Sequence, residues 1–132
     1  MPYLVGAVLA LVVGGFGSLV RLDRDRAFYA TILIVVGVFY ILFAVMGGTA
    51  LAIEAAAFTA FLVMSVVGFR GSLWWVVVGL AGHGIFDGFH GQLISNPGVP
   101  AWWPAFCGTY DVVAAGYLAA LLLRKVVPVH SK

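Results

Sequence analysis

His83, Asp87 and His90 form an H-x3-D-x2-H series, and Glu54 and Asp111 lie in apolar runs on either side of it. At about 100° per residue on a helix, the three residues of the series fall within an arc of roughly 60°, so one stripe would be ionisable. Histidine with carboxylate suits zinc, or a non-haem iron or manganese ion. His83 and His90 are about 10.5 Å apart along the axis, too far to hold one ion easily. A mononuclear site would pair His83 with Asp87, or Asp87 with His90, and complete its shell with Glu54 and Asp111. Alternatively, Asp87 could bridge two ions. Asp87-x-x-His90 also has the form of one half of a di-iron E-x-x-H pair, which would need a homodimer to supply the second.

The same groups could work without metal. Carboxylates in a low dielectric have raised pKa values and a neighbouring histidine titrates near neutrality, which suits isomerisation, cyclisation or hydrolysis of a lipophilic substrate. Two further readings are a proton relay in a small transporter and interhelical polar pairs that only fix packing. Five ionisable groups within about two helical turns of depth exceed what packing alone needs. Catalytic candidates are therefore Glu54, Asp87 and Asp111, and metal-ligand candidates are His83, Asp87, His90, Glu54 and Asp111. Tyr40, Cys107 and Tyr110 lie nearby as substrate-contacting or supporting groups, although a lone cysteine and tyrosines also serve as packing. His130 reads as a solvated tail residue.

Elements that position these residues must be apolar. Hydrophobic residues make up 64% of the chain and charged residues 9%, with a mean hydropathy of +1.12. A soluble domain has about 25% charged residues, and a body this small could not bury so much apolar surface. One cysteine and a net charge of +2 exclude a disulfide scaffold and a nucleic-acid binder. Five stretches approach the roughly 20 apolar residues needed to cross a bilayer: residues 2–20, 27–46, 49–69, 73–95 and 105–123. Runs such as Ile32-Leu33-Ile34-Val35-Val36 do not alternate as barrel strands must. The expectation is an all-α, single-domain bundle of five transmembrane helices over residues 1–132, with short connectors that pair neighbouring helices antiparallel.

If the spans alternate, Arg21, Arg24, Arg26, Arg70, Arg124, Lys125 and Lys132, all seven basic residues, fall on one side. The positive-inside rule then places the N-terminus outside and the C-terminus in the cytoplasm, across the cell (inner or plasma) membrane. Glu54, Asp87 and Asp111 come to lie roughly 8 to 12 Å below the outer surface. A carboxylate there costs on the order of 2.5 to 3.5 kcal/mol to insert, and such residues face the bundle interior. Glycines at 79, 82, 84, 88 and 91 would let partner helices approach the polar stripe. In the loop Asn96–Pro104, three prolines stop the flanking helices, and Trp102 and Trp103 serve either as interfacial anchors or as a lid over the site.

The runs His83-Gly84-Ile85-Phe86-Asp87-Gly88-Phe89-His90, Asn96-Pro97-Gly98-Val99-Pro100 and Cys107-Gly108-Thr109-Tyr110-Asp111 resemble an uncharacterised domain-of-unknown-function family of small multi-pass bacterial membrane proteins. The likeness covers roughly the C-terminal 80 residues and includes an acid at Glu54. It implies a fold and a membrane location but no activity. The functional expectation is an outward-facing pocket, metal-dependent or acid/base, acting on a small lipophilic molecule. The alternatives are a proton- or ion-coupled transporter, homo-oligomeric because five helices enclose little volume, or a structural polar network in a membrane-complex subunit.

Overall fold

The computed structural model describes residues 1–132, and its regular elements are all helices. The helices are α1 (Pro2–Leu19), α2 (Ala27–Gly47), α3 (Leu51–Arg70), α4 (Trp74–Leu93) and α5 (Trp103–Leu123), with a single 3-10 turn at Leu22–Arg24. Four of them, α1, α2, α3 and α5, are long and apolar enough to cross a membrane. The fifth, α4, carries His83, Asp87 and His90.

Burial is distributed as a lipid-facing bundle requires. Large apolar side chains such as Leu11, Val38, Val63, Val78 and Val112 are exposed, while Glu54, His83, Asp87, His90 and Asp111 are buried. A water-soluble globule has the opposite arrangement.

Helix boundaries follow local chemistry. Pro2 and Pro104 lie in the first turns of α1 and α5, where a missing N–H costs nothing. Pro104 therefore starts α5 rather than stopping it, and that helix begins two residues before the expected 105. Gly48 closes α2 at φ 70°, with Thr49 N–H bonded to Ala44 O at 3.2 Å. This is the left-handed glycine cap. Ala50 enters α3 at φ 66°, a conformation in which its Cβ is strained.

Sequential neighbours pair as expected from α2 to α5, but α1 does not pair with α2. Going round the bundle, the order is α1, α5, α4, α3, α2, with α2 leaning back onto α4 and lightly onto α5. α1 packs on α5, not on α2, because Gly6 lets their backbones meet: a Cβ there would lie 2.1 Å from Phe106 O. An apolar cleft of about 410 Å³ remains between α1 and α2, and it includes Leu9, Ile32, Phe39, Trp103, Phe106 and Cys107 in its lining. α4 and α5 approach through Gly84 and Gly108, each facing the other's carbonyl. Gly88 and Gly91 face open space, so only part of the glycine stripe serves packing.

The connector after α1 and the C-terminal tail are also ordered. Arg26 donates to the carbonyls of Gly68, Phe69 and Gly71 at 3.0, 2.9 and 2.8 Å, and to Val129 O at 2.7 Å. Leu73 N–H bonds Val129 O at 2.9 Å and Ser131 N–H bonds Gly71 O at 3.1 Å. His130 is exposed, as expected, but the backbone beside it pairs with Ser72.

Candidate functional site

The five ionisable residues separate into two groups joined by one tyrosine. In the first, across the α4–α5 seam, His83 Nδ1 lies 2.6 Å from Asp111 Oδ2 and 3.5 Å from Asp87 Oδ2. Cys107, one turn before Asp111, brings its Sγ to 3.8 Å from the same Asp111 oxygen. In the second group, between α3 and the end of α4, His90 Nε2 lies 2.6 Å from Glu54 Oε1. Tyr40 of α2 joins them. Its hydroxyl donates to Asp87 Oδ1 at 2.6 Å, and its ring stacks on His90 with centroids 4.0 Å apart and an 18° tilt.

The α4–α5 group has the donor set of a metal site. One ligand atom from each of His83, Asp87, Cys107 and Asp111 lies within 4.8 Å of the others, and all four residues are buried. Two carboxylate oxygens at this seam, Asp87 Oδ2 and Asp111 Oδ1, are buried without a hydrogen bond. An unpaired buried acceptor is costly, so a cation or a proton belongs with them. A buried cluster of one histidine, one cysteine and two aspartates could therefore hold a metal ion. His90 and Glu54 stand outside this set, and the seven-residue separation of the histidines explains why.

No single open pocket is lined by all five groups. Two grooves reach their edges at the end of the bundle where α4 finishes and α5 begins. One, about 560 Å³, touches His90, Asn96 and the proline loop. The other, about 450 Å³, runs over Gly84, Gly88 and Gly108 to Asp87. Tyr110 and Cys107 instead line the apolar cleft by α1, as does Trp103. Trp103 packs on Phe39 and Phe43 with centroids 4.8 and 5.0 Å away, and Trp102 is exposed and packs on Phe106. Trp103 therefore borders the apolar cleft, and neither indole lines the two grooves that reach His90 and Asp87.

Sequence reasoning missed Asn96. Its Oδ1 accepts Gly98 N–H at 3.2 Å, which orients the amide so that Nδ2 donates to Glu54 Oε1 at 2.9 Å. The Asn-Pro-Gly run was a turn signal, but a turn does not reveal what its side chain will meet. It also missed a polar cluster at the opposite end. Asp23, in the connector after α1, is 2% exposed; it accepts a hydrogen bond from Ser18, whose hydroxyl is 2.7 Å from that of Tyr117.

No protein-family model, curated protein or solved structure matches the chain.

Proposed function

We propose that the chain is a five-span integral membrane protein, N-terminus outside and C-terminus cytoplasmic, that binds a divalent transition metal between α4 and α5 and uses it on a small lipophilic substrate. His83, Asp87 and Asp111 are the ligands, with Cys107 a fourth. The observation that carries this reading is the gathering of one donor atom each from His83, Asp87, Cys107 and Asp111 within 4.8 Å in a buried seam, where Asp87 Oδ2 and Asp111 Oδ1 have no hydrogen-bond partner. Charge points the same way. Within the seam two carboxylates face one histidine, so with both carboxylates ionised a metal cation would offset the excess negative charge. The collection of every Lys and Arg on one side supports the orientation.

Elemental analysis of detergent-purified protein tests this directly. Stoichiometric zinc, iron or manganese is expected in the wild type and in His90→Ala, with loss in His83→Ala and Asp87→Ala. A metal-free wild type purified from metal-supplemented cells would remove the reading and leave the His83–Asp111 pair as a metal-free acid/base device.

A proton- or ion-coupled transporter is the second reading. Its support is the Tyr117–Ser18–Asp23 chain at the other end of the bundle and the Tyr29 hydroxyl, buried without a partner. These add to Thr31 and Ser65 as polar groups in that half, although Ser65 is committed to Ala30 O at 2.6 Å. Proton uptake by proteoliposomes, abolished in Asp23→Asn, would favour it; no flux counts against it.

A further inference from the structure

The strongest feature outside the α4–α5 seam is a cavity at the far end of the bundle, where α1 runs into the 3-10 turn and α5 ends. It holds about 460 Å³ and is lined by Ser18, Asp23, Arg24, Tyr117, Ala120, Leu121, Arg124 and Val126. Arg24 and Arg124 come from opposite ends of the sequence and have no acidic partner, since every ion pair in the molecule involves His83 or His90. Arg21 and Lys125 lie just outside. Two arginines lining one cavity, both without a counter-ion, offer guanidinium donors suited to phosphate oxygens.

The rest of the wall narrows the ligand. Asp23 is held by Ser18, and Ser18 by Tyr117. Both hydroxyls are thus committed to protein, leaving the arginines as the anion donors. The second oxygen of Asp23 remains an acceptor at the wall. Two cations and one carboxylate give the lining a formal charge of +1, which a monoanionic phosphodiester neutralises and a dianionic phosphomonoester overshoots. A ligand hydroxyl would satisfy the free Asp23 oxygen. Next in sequence to the lining residues Ser18 and Arg124, Leu19 and Leu123 are 81% and 74% exposed, apolar surface on which acyl chains can lie. Basic pockets between membrane helices are known to bind anionic head groups.

From these observations we infer that the Arg24–Arg124 cavity is a specific site for an anionic phospholipid with a phosphodiester and a hydroxylated head group, of the phosphatidylglycerol kind. The site is independent of the metal reading.

The test uses the full-length purified protein in neutral detergent. Thermal shift and native mass spectrometry are recorded with phosphatidylglycerol, phosphatidylcholine and soluble glycerol 3-phosphate. Phosphatidylglycerol is expected to bind at one stoichiometric site and raise Tm, with affinity falling at least tenfold in Arg24→Gln/Arg124→Gln. The matched Arg21→Gln/Lys125→Gln variant, which removes the same charge outside the cavity, should bind as the wild type does. Both pairs are exposed, and circular dichroism confirms that each variant folds. Equal loss in the two double variants would reduce the effect to a diffuse positive field and overturn the site. Equal binding of phosphatidylcholine would overturn the charge argument. Glycerol 3-phosphate binding as tightly as the lipid would make the ligand a free phosphate ester and overturn the lipid assignment.

Discussion

Glu54 owes its orientation to a residue outside every helix. Asn96 donates to it from the loop, and the Gly98 N–H donates in turn to the Asn96 side-chain oxygen. Asn96→Ala should therefore cost about 1 to 3 kcal/mol, the penalty for stripping a donor from a buried carboxylate, read as a lower Tm in detergent. Asn96→Asp should be at least as damaging, because it places a second acid beside Glu54. Tyr40→Phe removes one hydrogen bond but keeps the ring on His90. Interhelical hydrogen bonds in membranes average about 0.6 kcal/mol, so the fold should survive. Metal content is the sharper readout: with Tyr40 gone as donor to Asp87 Oδ1, the wild-type stoichiometry should persist but exchange with a chelator should quicken. The ionisable residues were legible in the sequence because an acid in an apolar run is conspicuous. Their partition into two groups was not, since it depends on which helix faces which rotamer across a seam.

At the scale of elements, the helices begin and end within two residues of where hydropathy and turn residues put them. Boundaries are local, and Gly48 and Pro104 act within a turn of their own position. Pairing is decided by close approach instead. Gly84→Val should disrupt the α4–α5 seam, because its Cβ would lie 2.8 Å from Gly108 O; overpacking of this kind costs roughly 1 to 3 kcal/mol. Gly88→Ala on the same stripe meets nothing within 4 Å and should stabilise by up to about 1 kcal/mol through helix propensity. Opposite signs at two glycines four residues apart, measured by thermal melting, would confirm which half of the stripe is an interface. Ala50→Gly should add about 1 kcal/mol by relieving the left-handed strain at the start of α3.

The molecule as a whole is closed by Arg26, whose guanidinium ties the end of α3 to the C-terminal tail. In the sequence it was only one of seven basic residues fixing an orientation, because its acceptors are backbone carbonyls that no composition shows. Arg26→Lys keeps the charge but replaces a planar fork with a point donor. It should free the tail beyond Leu123, seen as faster proteolytic trimming, while metal content stays at the wild-type level.

The pairing of α1 with α5 also has a consequence for biogenesis. A ribosome makes α1 some 80 residues before the helix it packs against, so α1 must wait in the lipid, its Gly6 face open, while α2, α3 and α4 are threaded past it. Asp111 arrives on that same last helix. Until it does, His83 and Asp87 sit in an incomplete site. With a metal held at that seam, the order of synthesis would make its capture and the closure of the bundle a single, final event.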